Sequence, residues 1–95
     1  MKPVMNKAQL IDAVRERCGD MTRKQVSEVI DAFTDTVQQT VADGTDVNLT
    51  GFGRFTYIER AARTGRNPQT GATINIPASR QPSFKPGKGF KDHLN

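Results

Sequence analysis

Apolar residues in the first half of the chain repeat at the spacing of amphipathic helices. A first series comprises Leu10, Ile11, Val14 and Cys18. A second series follows the i, i+3, i+4, i+7 pattern and comprises Val26, Val29, Ile30, Phe33, Val37 and Val41. Two such stretches joined by a few residues predict a hairpin of two helices.

Polar residues and glycines predict where these helices begin and end. Two pairs have the spacing of capping boxes: Asn6 with Gln9, and Thr22 with Gln25. Gly19 suits the position that follows the last residue of the first helix. Asp43-Gly44 ends the second helix.

The second half of the chain changes to the alternation that is typical of β-strands. Val47 and Leu49 share one face of a first strand, and the aromatic residues of GFGRFTYIER follow directly. Gly51 and Gly53 bracket Phe52, and glycine permits a positive φ or a close backbone approach. We therefore expect a tight turn between two strands at this point.

An unusual segment lies within this second half. Residues 63–77, RTGRNPQTGATINIP, contain two prolines, two glycines and two arginines but almost no large apolar side chains. The alternating stretches 54–60 and 72–78 are joined by a turn-forming tip, GRNPQTG, and we expect them to pair as a long antiparallel ribbon. Arginines at 60, 63 and 66 would then alternate between its faces. Because an isolated two-stranded ribbon is marginal in water, this composition favours contact with phosphates over self-burial.

The element order ααβββα predicts a single α+β domain. Its parts are a helical hairpin over residues 6–44, a three-stranded antiparallel sheet over 46–84 with an arm at about 60–77, and a short helix over 86–94 with Pro86 in its first position. Only 35% of the 95 residues are apolar and there is no Trp. Since so small a chain has little core, oligomerisation is expected.

Charge is distributed unevenly along the chain. Residues 1–50 contain six basic and eight acidic residues, whereas residues 51–95 contain eight basic and two acidic residues. A long run without any acid contains Arg60, Arg63, Arg66, Arg80, Lys85, Lys88 and Lys91. A half of the chain in which basic residues far outnumber acidic residues indicates a polyanionic partner.

Several other kinds of chemistry are not expected. Cys18 is the only cysteine and His93 the only histidine, so an internal disulfide and a Cys/His zinc site are excluded. GFGRF lacks the third glycine of a dinucleotide-binding loop. No residues are placed for catalysis, so we expect neither an enzyme nor a cofactor. No signal peptide or membrane span is predicted, and we expect a soluble, cytoplasmic protein.

Pro68 at the predicted tip has two interpretations. A proline in a turn ordinarily fixes φ and needs no further role. Proline is also a rigid, compact apolar wedge that can enter a base step and kink a duplex. The residue pattern alone favours the turn former and leaves the wedge open.

Five motifs together resemble the HU/IHF family of bacterial DNA-binding proteins, and HU more closely than IHF. They are MNKAQLIDAV, LTGFGRF, RTGRNPQTG, INIPAS and SFKPGKGFKD, and the likeness runs from about Met5 to Lys91. The resemblance implies an intertwined dimer, formed with itself or with a paralogous subunit, whose sheets each extend an arm. It also implies a nucleoid-associated protein that bends and compacts double-stranded DNA.

The resemblance further implies roles for individual residues. The arm residues Arg60, Arg63 and Arg66 would enter the minor groove, with Asn67 at the tip and Pro68 as the wedge. Phosphate contacts on the body would come from Arg80, Lys85, Lys88 and Lys91, with Lys7 and Arg23 as further candidates. The dimer core would contain Phe33, Phe52, Phe55 and Phe84. Departures from the family pattern include the returning arm strand ATINIP, which carries no charge, and Gly89, which weakens the C-terminal helix.

Three functions remain open on the sequence alone. Phosphate contact is largely independent of sequence, which favours an architectural protein with little sequence preference. A site-specific bender of the IHF type is the alternative within the same class, since its specificity arises from the deformability of the DNA. A protein-interaction module that uses the ribbon for strand addition is less favoured, because the ribbon lacks apolar anchors. RNA is a possible additional partner.

Overall fold

The computed structural model describes residues 2–95, which form two compact units, one ending at Gln39 and one running from Thr40 to Asn95. Helix α2 crosses from the first unit into the second. The elements in chain order are α1 (Lys7–Cys18), α2 (Arg23–Ala42), β1 (Val47–Leu49), β2 (Gly53–Arg60), β3 (Arg63–Arg66), β4 (Thr73–Ile76), β5 (Ser79–Pro86) and α3 (Lys88–Leu94).

Helix α1 begins and ends where the sequence predicted. The Asn6 side chain accepts a hydrogen bond from the Gln9 N–H at 2.8 Å, and the Gln9 side chain accepts one from the Asn6 N–H at 2.9 Å. This reciprocal pair confirms the capping box. At the other end, Gly19 has a φ of +70°, which lets the chain leave the helix.

Helix α2 has the second predicted capping box at its start. The Thr22 hydroxyl accepts from the Gln25 N–H at 3.1 Å, and the Gln25 side chain accepts from the Thr22 N–H at 2.9 Å. The helix ends at Ala42, and the Gly44 N–H donates to the Val41 carbonyl at 3.0 Å with a φ of +96° at Gly44.

Strand β2 is the centre of a three-stranded antiparallel sheet, with β1 on one side and β5 on the other. The predicted turn between β1 and β2 is confirmed. The Phe52 N–H donates to the Leu49 carbonyl at 2.9 Å, and Gly51 has a φ of +85°. Leu49 and Gly53 are then paired across the hairpin.

An antiparallel arm is present as predicted, but the predicted pairing of residues 54–60 with residues 72–78 was wrong. Strand β2 pairs along its whole length with β5, and only the shorter strands β3 and β4 pair with each other as a separate two-stranded sheet. The register places Phe55 opposite Phe84, so pairing β2 with β5 brings two rings together. The stretch 72–78 offers no aromatic side chain, and Pro77 within it has no N–H to donate to a ladder.

The predicted start of the last helix was also wrong. Pro86 is not in the first helical position but is the last residue of β5, opposite Gly53. Helix α3 begins at Lys88 after Gly87, whose N–H donates to the Phe52 carbonyl at 2.8 Å. Gly89 has a reason to be glycine, because a Cβ there would lie 2.5 Å from the Gly51 carbonyl oxygen.

An aromatic cluster joins the sheet to α3 within the second unit. Its rings belong to Phe52, Phe55, Phe84 and Phe90, with centroids 4.9–6.4 Å apart in tilted arrangements. Gly53 lies beneath the cluster, and a Cβ at this position would come within 2.5 Å of the Phe84 ring. The turn therefore depends on Gly51 and the ring packing on Gly53, two residues later.

The core of the single chain is very small. Within residues 2–95, Ile11 and Val26 are the buried apolar side chains, at 4% and 1% exposure. Phe33, Phe52 and Phe84, by contrast, are 42%, 44% and 38% exposed. Large apolar surface is thus left in contact with water by one copy of the chain.

Candidate nucleic-acid interface

The two-stranded arm carries cations on both of its faces. Arg63 is paired with Ile76 and Arg66 with Thr73, and both arginines are exposed. Because they are three residues apart on one strand, their side chains point to opposite faces, as the sequence predicted. The returning strand β4 carries no charge, so the positive charge of the paired arm lies on β3 alone.

The tip of the arm is held by its own hydrogen bonds. The Asn67 N–H donates to the Ala72 carbonyl at 2.9 Å, and the Gly71 N–H donates to the Asn67 carbonyl at 2.7 Å. The Asn67 side-chain oxygen also accepts from the Gln69 N–H at 2.9 Å. Asn67 therefore shapes the turn, whereas Pro68 is exposed at its apex.

Arg60 lies at the base of the arm rather than on its paired strands. It is the last residue of β2, opposite Ser79, and Ala61-Ala62 separate it from β3. Its Nε donates to the Gln81 side-chain oxygen at 2.8 Å. This bond directs the guanidinium across the exposed face of the sheet.

Arg80 is engaged within the second unit. Its Nη1 donates to the carbonyl of Ala42 at 3.1 Å, at the C-terminal end of α2. Its guanidinium carbon lies 5.1 Å from the centroid of the Tyr57 ring. A cation at a helix C-terminus and over an aromatic face is stabilising, so Arg80 has a structural role beside any contact with a phosphate.

The remaining cations of the second unit lie at the end of the sheet and on α3. Lys88 is the first residue of α3 and Lys91 lies in its last turn. Lys85 is on β5, directly opposite Arg54 on β2. Arg54 was not among the cations predicted from the sequence. The signal was present, because alternation along β2 places residue 54 on the face opposite to the ring of Phe55.

Two cations of the helical unit are paired with acids. Lys7 forms an ion pair with Asp31, and the Arg23 Nε lies 2.9 Å from an Asp12 carboxylate oxygen. All four side chains are about half exposed or more. Exposed pairs of this kind contribute only up to about 1 kcal/mol, so these cations can exchange a carboxylate for a phosphate at small cost.

Residues 2–95 lack two other features, a metal-binding cluster and a membrane-spanning helix. That part of the chain contains no group of three or more His, Cys, Asp and Glu side chains arranged to hold a metal ion. None of the helices described there is long and apolar enough to cross a membrane.

Comparison with known proteins agrees with this geometry. The family model described as bacterial DNA-binding protein matches residues 5–95. The chain belongs to this family.

Named members and solved structures of the family are similar over nearly the whole chain. The DNA-binding protein HU of Staphylococcus aureus is 52% identical over 88 residues, which are 93% of this chain and 97% of that protein. HU of Geobacillus stearothermophilus is 50% identical over the same length. An Anabaena HU–DNA cocrystal structure superposes with a TM-score of 0.85 at 44% identity, covering 95% of this chain and 97% of that one. HU from Thermotoga maritima gives 0.67 at 28% identity, covering 96% and 100%.

Proposed function

We propose that the protein is an architectural DNA-binding protein that bends and compacts duplex DNA with little sequence preference. The observation that carries this proposal is the arm: Arg63 and Arg66 are exposed on opposite faces of a ribbon that has almost no core of its own. Arginine is favoured in the minor groove by the negative potential there. The similarity to an HU that was crystallised with DNA supports the same assignment. The protein then acts on the bacterial nucleoid in the cytoplasm.

Little sequence preference follows from the kind of contacts that are available. The candidate cations are exposed lysines and arginines spread over the arm, the sheet and the helices. Such side chains contact phosphates and fix the position of the protein, but they carry little information about base sequence. In the minor groove the pattern of donors and acceptors is itself degenerate.

We propose that the working form is a dimer of this chain or of this chain with a paralogue. The exposed rings of Phe33, Phe52 and Phe84 form apolar surface that a second copy would cover. A chain with so few buried side chains lacks the core that a stable monomer of this size needs. Mutual burial of these surfaces would supply that core.

A dimer makes stability depend on protein concentration. We expect the melting temperature to rise with protein concentration, because mass action favours the associated, folded state. Calorimetry or circular dichroism over a hundredfold range of concentration, with sedimentation in parallel, measures this. A melting temperature that is independent of concentration in a chain that sediments as a monomer would contradict the dimer.

The proposed function is tested by a salt series of binding to intact, nicked and pre-bent duplexes. We expect the logarithm of affinity to fall linearly with the logarithm of salt concentration, because bound cations displace counterions from the phosphates. We also expect tighter binding to the nicked and pre-bent duplexes, since less energy is then needed to deform them. Affinity that hardly changes with salt would refute the proposal. The same series with double-stranded RNA in place of DNA measures whether the protein also binds RNA.

A further inference from the structure

The exposed face of the three-stranded sheet is a candidate binding surface separate from the arm. Alternation along β2 places residues 54, 56, 58 and 60 on the face opposite to the aromatic cluster, and the register pairs them with residues 85, 83, 81 and 79 of β5. These eight residues form the polar face of the sheet. It runs for about 20 Å along β2, from Arg54 at one end to Arg60 at the other.

The charge at one end of the polar face is unfavourable for the protein alone. Arg54 lies directly opposite Lys85, and like charges in directly opposed positions destabilise a sheet. Asp46 approaches one member of the pair: its Oδ2 lies 3.9 Å from the Arg54 Nη1. Its Oδ1 accepts a hydrogen bond from the Thr56 hydroxyl at 2.7 Å. The Asp46 carboxylate, held in place by Thr56, thus stands beside Arg54, whereas Lys85 faces Arg54 from the neighbouring strand β5.

We propose that Arg54 and Lys85 hold phosphates of duplex DNA that extends beyond the arm, and that Asp46 limits the strength of this contact. The inference deepens the proposed function and rests on it. A phosphate placed between Arg54 and Lys85 relieves their repulsion, which the protein alone leaves only partly compensated. Asp46 opposes the phosphate through like charge and competes with it for Arg54.

Continuity and composition favour DNA as the occupant of the polar face. Arg60 lies on the same face at its other end, and the arm begins three residues later at Arg63. About 20 Å corresponds to roughly six base pairs of duplex. Between the two ends lie mainly short or uncharged polar side chains, with Ile58 as the one large apolar residue. That composition provides hydrogen-bonding groups but only one large apolar side chain as an anchor for a protein partner.

The contact is tested with Arg54→Gln, measured on a long duplex and on one too short to extend beyond the arm. On the long duplex we expect the salt slope to become less steep by about 2 for a dimer and the affinity at physiological salt to fall about 30-fold. The short duplex should show a much smaller change. Arg54→Lys, which keeps the charge, should retain most of the slope. Arg17→Gln at the end of α1 removes the same charge elsewhere and should have little effect.

Asp46→Asn tests whether Asp46 weakens the contact with DNA, and this variant is expected to bind more tightly rather than less. The asparagine oxygen can still accept from Thr56, so the fold should be kept, as an unchanged melting temperature would show. We expect affinity for the long duplex to rise severalfold at low salt and the difference to shrink as salt screens the charges. Asp20→Asn in the connection between the helices makes the same change of net charge and should not tighten binding.

The outcomes separate this inference from the proposed function. Wild-type affinity that falls steeply with salt, together with an unchanged slope in Arg54→Gln and unchanged affinity in Asp46→Asn, would overturn the role of the polar face and leave the proposed function intact. Equal effects of Arg54→Gln on the long and short duplexes would also overturn it. Wild-type protein that binds no duplex in a salt-dependent manner would refute the proposed function itself.

Discussion

Replacing both arm arginines, in Arg63→Gln/Arg66→Gln, is expected to weaken duplex binding about a thousandfold at physiological salt. Each cation that neutralises a phosphate contributes about −0.9 to the slope of log affinity against log salt, and a dimer loses four such cations. At about 0.15 M salt those four contacts amount to about three orders of magnitude, and the difference should vanish near 1 M. Equilibrium binding to one duplex over a salt series measures both the slope and the affinity.

A matched variant separates the effect of losing arm contacts from the effect of lowering the net charge of the protein. Arg15→Gln/Arg17→Gln removes the same two charges from the exposed last turn of α1. We expect this variant to keep nearly the wild-type slope, apart from a small general loss of attraction. If the two double variants weaken binding equally, the arm has no special part in holding DNA. Circular dichroism of both proteins checks that each remains folded.

The helices and the first turn were predictable because their signals are local. Capping boxes such as Asn6 with Gln9 satisfy backbone donors within a few residues, so their spacing in the sequence is enough to identify them. The same holds for Gly51, whose positive φ serves a turn between neighbouring strands. In each case the partners are close in sequence, and no knowledge of the tertiary structure is needed.

The strand pairing was not predictable in this way because it depends on contacts between residues that are far apart in the sequence. The sequence suggested that β2 returns directly through residues 72–78, but Phe55 pairs instead with Phe84, which is much further along the chain. The same pairing draws Pro86 into β5 and delays the start of α3. Periodicity shows which residues share a face, but it does not identify the partner strand.

Only part of the candidate site was predicted, again because the contacts that decide it join residues distant in the sequence. A basic run reveals exposed cations without showing their partners. Arg80 was counted with the others, although it is bound to the carbonyl of Ala42. Arg54 was overlooked because it lies within a stretch of aromatic residues before the basic run, and its position opposite Lys85 becomes apparent only when β5 pairs with β2. Whether a cation is free for a phosphate is decided by tertiary contacts.

Pro68→Ala is expected to remove most of the bend in bound DNA while keeping most of the affinity. In the proposed function, affinity comes mainly from cations such as Arg63 and Arg66, which this change leaves in place. A kink requires a rigid apolar group that partly unstacks a base step, and wedges of this kind in HU and IHF bend a duplex by some tens of degrees. Alanine is too small to hold the step open. Energy transfer between dyes at the two ends of a short duplex, at saturating protein, measures the bend.

The tip geometry provides the control for this experiment. The Asn67 side chain and the Gly71 N–H hold the turn without using Pro68 as a donor, so the tip should keep its shape in Pro68→Ala. Gln69→Ala alters the neighbouring tip residue and should leave the bend unchanged. If Pro68→Ala bends DNA as the wild type does, the proline is only a turn former, and the bend must come from wrapping of the duplex along charged surfaces such as the polar face. A reduced bend with nearly unchanged affinity would assign the kink to Pro68 and the affinity to the arginines.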